Sequence, residues 1–285
     1  MIICVVGPTC VGKTKLSIML AKKYNGIIIN ADASQIYKEL NIGTAKIKEE
    51  EKEGIPHYLF DIKSPNEDYS VSDYQIDLRK LLDEYQNRNI ILVGGTGLYI
   101  TASLYDYKFS KLNNNDYSNY TNDELYNMCI KDNPDIDIHP NNRRRLINYL
   151  NRVDKTITNP TLLYENVYFI GLTTDRSTLY ERINNRVMNM LDDGLLDEVN
   201  NLYKKYGNAR ILGSAIGYKE IIKYLNKEIS LEDAIDLIKK NSRHYAKRQY
   251  TWFNNKMNIT WFETDFQHFD NTFNNVINYL EKDNK

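Results

Sequence analysis

The chain has 285 residues, 42% of them hydrophobic and 26% charged, which is enough length and apolar content for a full buried core and excludes both a short binding module and a disordered chain. Its 37 lysines and arginines nearly balance 38 aspartates and glutamates, so the net charge of −1 confines any nucleic-acid surface to a local patch. No apolar run reaches membrane-spanning length, and three cysteines (Cys4, Cys10, Cys129) without a C-x-x-C pair argue against a disulfide framework and against a zinc site.

The N-terminus runs directly into an apolar segment with no basic stretch and cleavage site behind it, so the expected compartment is the cytoplasm. Four short runs rich in β-branched residues read as buried strands: Ile2 to Val6, Ile27 to Ile29, Ile90 to Val93 and Val167 to Leu172. Between them, Lys13 to Tyr24 and Tyr74 to Tyr85 carry leucines and methionine at helical spacing. Strand and helix in alternation predict an α/β fold with a mostly parallel sheet flanked by helices. From about Phe109 to Pro160 the composition shifts to Asn, Asp and Tyr, and two helices are expected in place of a strand, one capped by T-N-D-E at Thr121 and one after Pro140. The chain is therefore divided into a core over 1–108, an inserted helical subdomain over 109–160, and the rest of the core over 161–285. Beyond Leu172 it reads as helical almost to the end.

Gly7, Pro8, Thr9, Cys10, Val11, Gly12, Lys13 and Thr14 spell G-x-x-x-x-G-K-T between the first strand and the first helix. In that setting glycines let backbone N–H groups turn around phosphate oxygens, Lys13 adds a cation, and the Thr14 hydroxyl offers a ligand to Mg²⁺. Such a P-loop signifies a diphosphate or triphosphate without naming ATP. Motor and switch ATPases place a carboxylate after a neighbouring strand, whereas here Ile90 to Val93 ends in Gly94-Gly95-Thr96-Gly97, which points to a small transferase or kinase.

Further along come N-A-D-A-S-Q-I-Y (Asn30 to Tyr37), N-I-G-T-A-K (Asn41 to Lys46), V-G-G-T-G-L-Y (Val93 to Tyr99), I-H-P-N-N-R-R-R (Ile138 to Arg145), I-G-Y-K-E (Ile216 to Glu220) and R-H-Y-A-K-R-Q-Y-T-W-F (Arg243 to Phe253). Together with the P-loop, and in this order over nearly the whole chain, these blocks resemble the bacterial tRNA dimethylallyltransferase family. The resemblance implies a P-loop core that grips dimethylallyl diphosphate with Mg²⁺, and a helical insertion for the anticodon stem-loop. It further implies transfer of the prenyl group to N6 of adenine 37, and tRNA contacts from Asp32, Ala33, Ser34, Gln35, Arg144 and Arg145. A monomer is expected. The chain departs from the family pattern at Ala33, where a serine is common, at Asn142, in the segment Asn148 to Asn151, and at Ser214, for which Arg210 is a potential substitute.

An exocyclic adenine amine is a weak nucleophile, so the reaction calls for a base and for donors aimed at the departing diphosphate. Asp32, just beyond the second strand, is the candidate base; the same residue type and place also suit a helix N-cap. Lys13 and Thr14 face the phosphates, and by resemblance Thr96 bonds the bridging oxygen. Arg182 and Arg186, four apart on a helix opening near Asp175, read either as lid arginines over the diphosphate or as a solvated helix face. His57 and His139 are read as structural, having no metal-ligand partners.

From Leu231 to Trp252 an inward stripe runs through Ile238, Tyr245 and Gln249, while Lys239, Lys240, Arg243, Lys247 and Arg248 gather on the other sides with no acid among 239–248. Arg243, Lys247 and Arg248 are accordingly candidate RNA contacts. An ATP-dependent kinase of a nucleoside or small metabolite remains the enzymatic alternative. A nucleotide-responsive RNA-binding protein is the non-enzymatic one.

Overall fold

Successive residues of β1 (Ile2–Val6) point to opposite sides of a sheet, and both sides are covered. Ile2, Cys4 and Val6 join one hydrophobic core with Ile27, Ile29 and Leu92, while Ile3 and Val5 join a second with Ile28 and Ile91. That is why these strands read as unbroken apolar runs. The computed structural model describes residues 1–154 and 160–282.

In chain order β1 leads into α1 (Lys13–Tyr24), β2 (Ile27–Asn30), β3 (His57–Tyr58), α2 (Val71–Glu84), β4 (Ile90–Val93) and α3 (Gly97–Leu104). After α4 (Asn122–Asp132) and α5 (Arg143–Leu150) come β5 (Val167–Thr173), α6 (Arg176–Asp192), α7 (Leu195–Tyr206), α8 (Arg210–Ser214), α9 (Tyr218–Leu225), α10 (Leu231–Lys256), β6 (Thr260–Glu263) and α11 (Phe269–Lys282). The sheet is a six-stranded one in the order β3-β2-β4-β1-β5-β6, parallel at every pairing. The chain leaves β1 toward β2 on one side and reaches β5 on the other, so the carboxyl end of β1 is a topological switch point, where open α/β sheets hold ligands.

Two strands depart from the sequence reading. β6 interrupts the helical run expected beyond Leu172, pairing Trp261 with Gly171 and Phe262 with Leu172 at the sheet edge. β3 is only two residues long and extends the opposite edge. Helix starts follow local chemistry: Ser70 and Asp73 form a capping box on α2, and Asp175 caps α6 through the Thr178 amide.

The chain divides into two compact units, Met1–Tyr105 with Leu162–Lys285, and Asp106–Thr161. The expected 109–160 insertion includes residues 155–159, which lie outside the described residues, as do 283–285 of the expected C-terminal segment. The smaller unit has its own core of Leu125, Cys129, Leu146 and Tyr149 between α4 and α5. Thr121 and Glu124 make the expected capping box on α4. Asn142 caps α5 by accepting from the Arg145 amide at 3.3 Å, so the asparagine still performs a cap's work. Asn151, buried, accepts from the Asn115 amide at 3.1 Å and fixes the segment that leads into α4.

Candidate active site

The loop from Gly7 to Thr14 is shaped by close approaches that only glycine allows. Gly7 has φ +129°, and a Cβ there would lie 2.5 Å from the Leu172 carbonyl oxygen. Gly12 has φ +95°, and its Cβ would lie 2.7 Å from Cε2 of Phe269. The Val11 carbonyl accepts a 2.9 Å hydrogen bond from the buried Thr264 hydroxyl. The residues just after β6 thus brace the loop from below.

Lys13 folds back, its Nζ donating to the Pro8 carbonyl at 2.6 Å. Burial pulls its pKa down to about 8, with Asp32 opposing the shift and Arg186 adding to it. Those influences put the Asp32 carboxylate and the Arg186 guanidinium in electrostatic range of the ammonium. Thr14 is exposed in the first turn of α1 and lines the same cavity. Among the described residues no group of three His, Cys, Asp or Glu side chains could cage a metal. The donor set suits a divalent ion held by one hydroxyl and by a ligand's own phosphate oxygens, as P-loops do.

Asp32 lies beyond β2, its backbone framed by a buried amide: Asn30 Oδ1 accepts from the Asp32 N–H at 2.9 Å, and Asn30 Nδ2 donates to the Asp32 carbonyl at 3.0 Å. Asp32 Oδ1 accepts from the Ser34 amide at 2.9 Å, an Asx turn; no α-helix begins there for it to cap. Its Oδ2 faces the Gly94–Gly97 turn, 3.9 Å from where a Cβ on Gly95 would sit. Thr96 Oγ1 accepts from the Ala33 amide at 3.1 Å, so a backbone group links the two turns at the position where the family commonly has serine. Gln35 donates to the Thr44 carbonyl at 3.0 Å and so holds the neighbouring loop.

Both α6 arginines reach the P-loop. Arg182 Nε donates to the Cys10 carbonyl at 3.0 Å, and Arg186 donates to the Thr9 hydroxyl at 3.1 Å and to the Thr44 carbonyl at 3.3 Å. The loop bearing Thr44 is itself pinned by Glu198 of α7, whose carboxylate accepts from the amides of Asn41, Ile42 and Gly43 and from the Tyr218 hydroxyl. Sequence reasoning assigned Glu198 nothing; an acid on a helix carries no sign of a distant loop.

Helix α10 supplies the remaining wall. Gln249 is buried; its Oε1 accepts from the Thr9 amide at 3.0 Å and its Nε2 donates to the Gly95 carbonyl at 3.1 Å. A Cβ at Gly95 would lie 2.0 Å from that Nε2, and one at Gly97 would lie 2.1 Å from Trp252 Cδ1. The glycines of G-G-T-G therefore let the turn lie directly on α10. Ser242, Tyr245 and Arg248 line an open cavity of about 1070 Å³ together with Lys13, Asp32 and Ser214. Arg210 stands apart, 3.5 Å from Asp68 on the surface.

The expected RNA contacts fall into different settings. Lys247 and Arg248 are exposed, whereas Arg243 donates to Asn184 of α6 at 2.7 Å. In the smaller unit Arg143 holds the segment before α4, donating to the carbonyls of Tyr120 at 2.6 Å and Tyr117 at 2.7 Å, while Arg144 and Arg145 stand on the first turn of α5. His57 binds the Ile55 carbonyl through Nδ1, and His139 Nδ1 accepts from the Asn141 amide, both local structural bonds. No helix is long and apolar enough to cross a membrane among the described residues.

Residues 35–256 match the family model described as IPP transferase. The tRNA dimethylallyltransferase of Anoxybacillus flavithermus is 46% identical over 98% of this chain and 96% of its own length. Among solved structures, the full-length tRNA isopentenylpyrophosphate transferase of Bacillus halodurans superposes with a TM-score of 0.75 at 42% identity, over 99% of this chain and 97% of that one. A eukaryotic dimethylallyltransferase, captured crystallographically acting on tRNA, superposes with a TM-score of 0.84 at 30% identity, over 97% of this chain and 77% of that one.

Proposed function

The chain belongs to the IPP transferase family, and from that premise we propose that it is a tRNA dimethylallyltransferase, moving the dimethylallyl group of dimethylallyl diphosphate to N6 of adenine 37 in tRNA and releasing diphosphate. The observation that carries the reading is that Lys13 and Asp32 line one cavity, a cation for the diphosphate and a carboxylate for the attacking amine.

The adenine N6 lone pair attacks C1 of the allyl group as the C1–O bond breaks. That bond's electron pair leaves on the bridging oxygen, and the N6 proton passes to Asp32 Oδ2. Charge growing on the diphosphate is met by Lys13, Arg182, Arg186 and the P-loop amides, which need no reorganisation at the moment of bond breaking. Thr96 donates to the bridging oxygen. Thr14 would hold a Mg²⁺ ion through its hydroxyl, and that ion neutralises the leaving group when bound.

The tRNA is held by Arg144 and Arg145 of the smaller unit, by the turn from Asp32 to Gln35, and by Lys247 and Arg248, with Arg243 chiefly fixing α10 against α6. The enzyme acts as a monomer in the cytoplasm, where its RNA substrate is used. Incubation with Mg²⁺, unmodified tRNA and either labelled dimethylallyl diphosphate or labelled ATP tests the proposal. Label transfer to tRNA from the prenyl donor alone is expected; transfer of a γ-phosphate instead would make the protein a kinase.

A further inference from the structure

Three successive backbone amides in the segment between β2 and β3 converge on one carboxylate. Glu198 Oε2 accepts from the Asn41 N–H at 3.1 Å and the Ile42 N–H at 2.8 Å. Its Oε1 accepts from the Gly43 N–H at 3.0 Å and from the Tyr218 hydroxyl at 2.7 Å. Successive amides turned one way make a concave anion site, and here a side chain of α7 fills it. With two donors on each oxygen, the acid is fully engaged in holding this loop. The loop also lies against the buried Tyr218 ring, since a Cβ at Gly43 would lie 2.5 Å from its Cε2.

The anchored loop ends in the acceptor that Arg186 uses. Asn41 to Lys46 closes on itself, the Ala45 N–H donating to the Ile42 carbonyl and the Lys46 N–H to the Asn41 carbonyl, both at 2.9 Å. Fixing the first three amides therefore fixes the direction of the Thr44 carbonyl. That oxygen accepts from Arg186 at 3.3 Å and from Gln35 at 3.0 Å, while the other terminal nitrogen of Arg186 donates to the Thr9 hydroxyl at 3.1 Å. The guanidinium thus spans two loops, and one of its footholds depends on an acid outside the cavity lining.

We infer that Glu198 is a positioning residue: by gathering the amides of Asn41, Ile42 and Gly43 it aims the Thr44 carbonyl, which orients Arg186 toward the diphosphate. This rests on the role given to Arg186 above and assigns the residue that holds it there. Charge and positioning predict opposite signs. A carboxylate repels a diphosphate, so by charge alone its removal would tighten binding, whereas removal of a positioning residue weakens binding by letting the arginine wander.

A double-substitution cycle of Glu198→Ala and Arg186→Ala, read by calorimetric titration with inorganic diphosphate and Mg²⁺, tests this. Arg186→Ala is expected to weaken diphosphate binding about 10- to 100-fold, the scale of one lost hydrogen bond to a charged group. Glu198→Ala is expected to weaken it about three- to tenfold, because the arginine is loosened and not removed. The pair should bind within about twofold of Arg186→Ala alone. Glu198→Gln perturbs the loop less: with its oxygen on the Asn41 and Ile42 amides and its N–H on the Tyr218 oxygen, only the Gly43 bond is given up. Its affinity should fall about two- to threefold, again only while Arg186 is present, and this cycle alone decides if Glu198→Ala does not fold. Binding as tight as wild type or tighter in a folded Glu198 variant, or a loss that multiplies with that of Arg186→Ala, would overturn the inference. A wild type that binds diphosphate yet transfers nothing to tRNA would instead overturn the proposed function, with the diphosphate cycle still reporting on Glu198.

Discussion

Arg182 places its guanidinium over the ring of Phe266, 3.7 Å from the centroid, while its Nε holds the Cys10 carbonyl. A residue beyond β6 thereby sets the attitude of an arginine on α6 that overhangs the phosphate loop. Phe266→Ala should weaken binding of dimethylallyl diphosphate by about two- to fivefold, the value of a partly exposed cation–π contact, and Phe266→Trp should restore it. Isothermal titration calorimetry measures both, and an alanine variant with wild-type affinity would show that the ring carries none of the lid's order.

Lys13 gives the site a pH signature. Its folded pKa of about 8 means that it is already charged below pH 8, so binding a diphosphate there requires no proton uptake through this residue. Above pH 8 the ligand must drive protonation of Lys13, and this contribution to affinity should fall toward about tenfold per pH unit. Titrations between pH 7 and 9.5 should show that fall in wild type and its loss in Lys13→Ala, whose affinity is low throughout. An equal slope in both proteins would assign the effect to another group.

Asp32→Asn keeps the side-chain shape and the oxygen that accepts from Ser34, and it removes the negative charge. Transfer should drop by roughly 10²-fold or more, with tRNA and diphosphate affinities little changed, as for loss of a general base. Single-turnover assays beside binding curves separate the two. A rate within about threefold of wild type would move the proton acceptor elsewhere.

Gly97→Ala would drive a methyl group into Trp252, since its Cβ would lie 2.1 Å from Cδ1. Overpacking of this kind costs about 1–3 kcal/mol, to be seen as a lower melting temperature together with slower transfer as the turn moves Thr96. An unshifted melting temperature would mean that the turn is free to lift off α10.

Replacing Lys247 and Arg248 together with alanine should weaken tRNA binding nearly uniformly across sequences and reduce the salt slope by up to roughly 1.8, leaving diphosphate affinity unaltered. Arg243→Ala should behave differently and lower stability, because its guanidinium is bonded to Asn184. Filter binding across a salt series, with thermal melting in parallel, distinguishes the two. An unchanged slope in the folded double variant would remove this face from the RNA interface.

What was legible in the sequence was legible for physical reasons. β1, β2, β4 and β5 are buried on both faces, so their composition alone marks them. β6 escaped notice because T-W-F-E is a four-residue edge strand behind a 26-residue helix, with half-buried side chains and an exposed glutamate at its end. The P-loop is readable because its backbone geometry demands glycine at fixed positions. Gln249 was read only as part of an inward helical stripe, and Glu198 had no assigned role, since their partners are backbone amides and carbonyls, which no residue name records. Arg143 looked like its two neighbours for the same reason: its bonds are to the carbonyls of Tyr117 and Tyr120.

The bracing of the phosphate loop by Thr264 and Phe269 also bears on the order of events during synthesis. The hydroxyl that takes up the Val11 carbonyl lies 253 residues further along the chain, and the ring that underlies Gly12 follows it, so both are synthesised long after residues 7–14. Until then the nascent chain can pair β1 with β4 and β5, but its anion cradle lacks a floor. The phosphate loop is thus finished only when elements from opposite ends of the core have come together, so its shape is a product of the complete fold and not of its own segment.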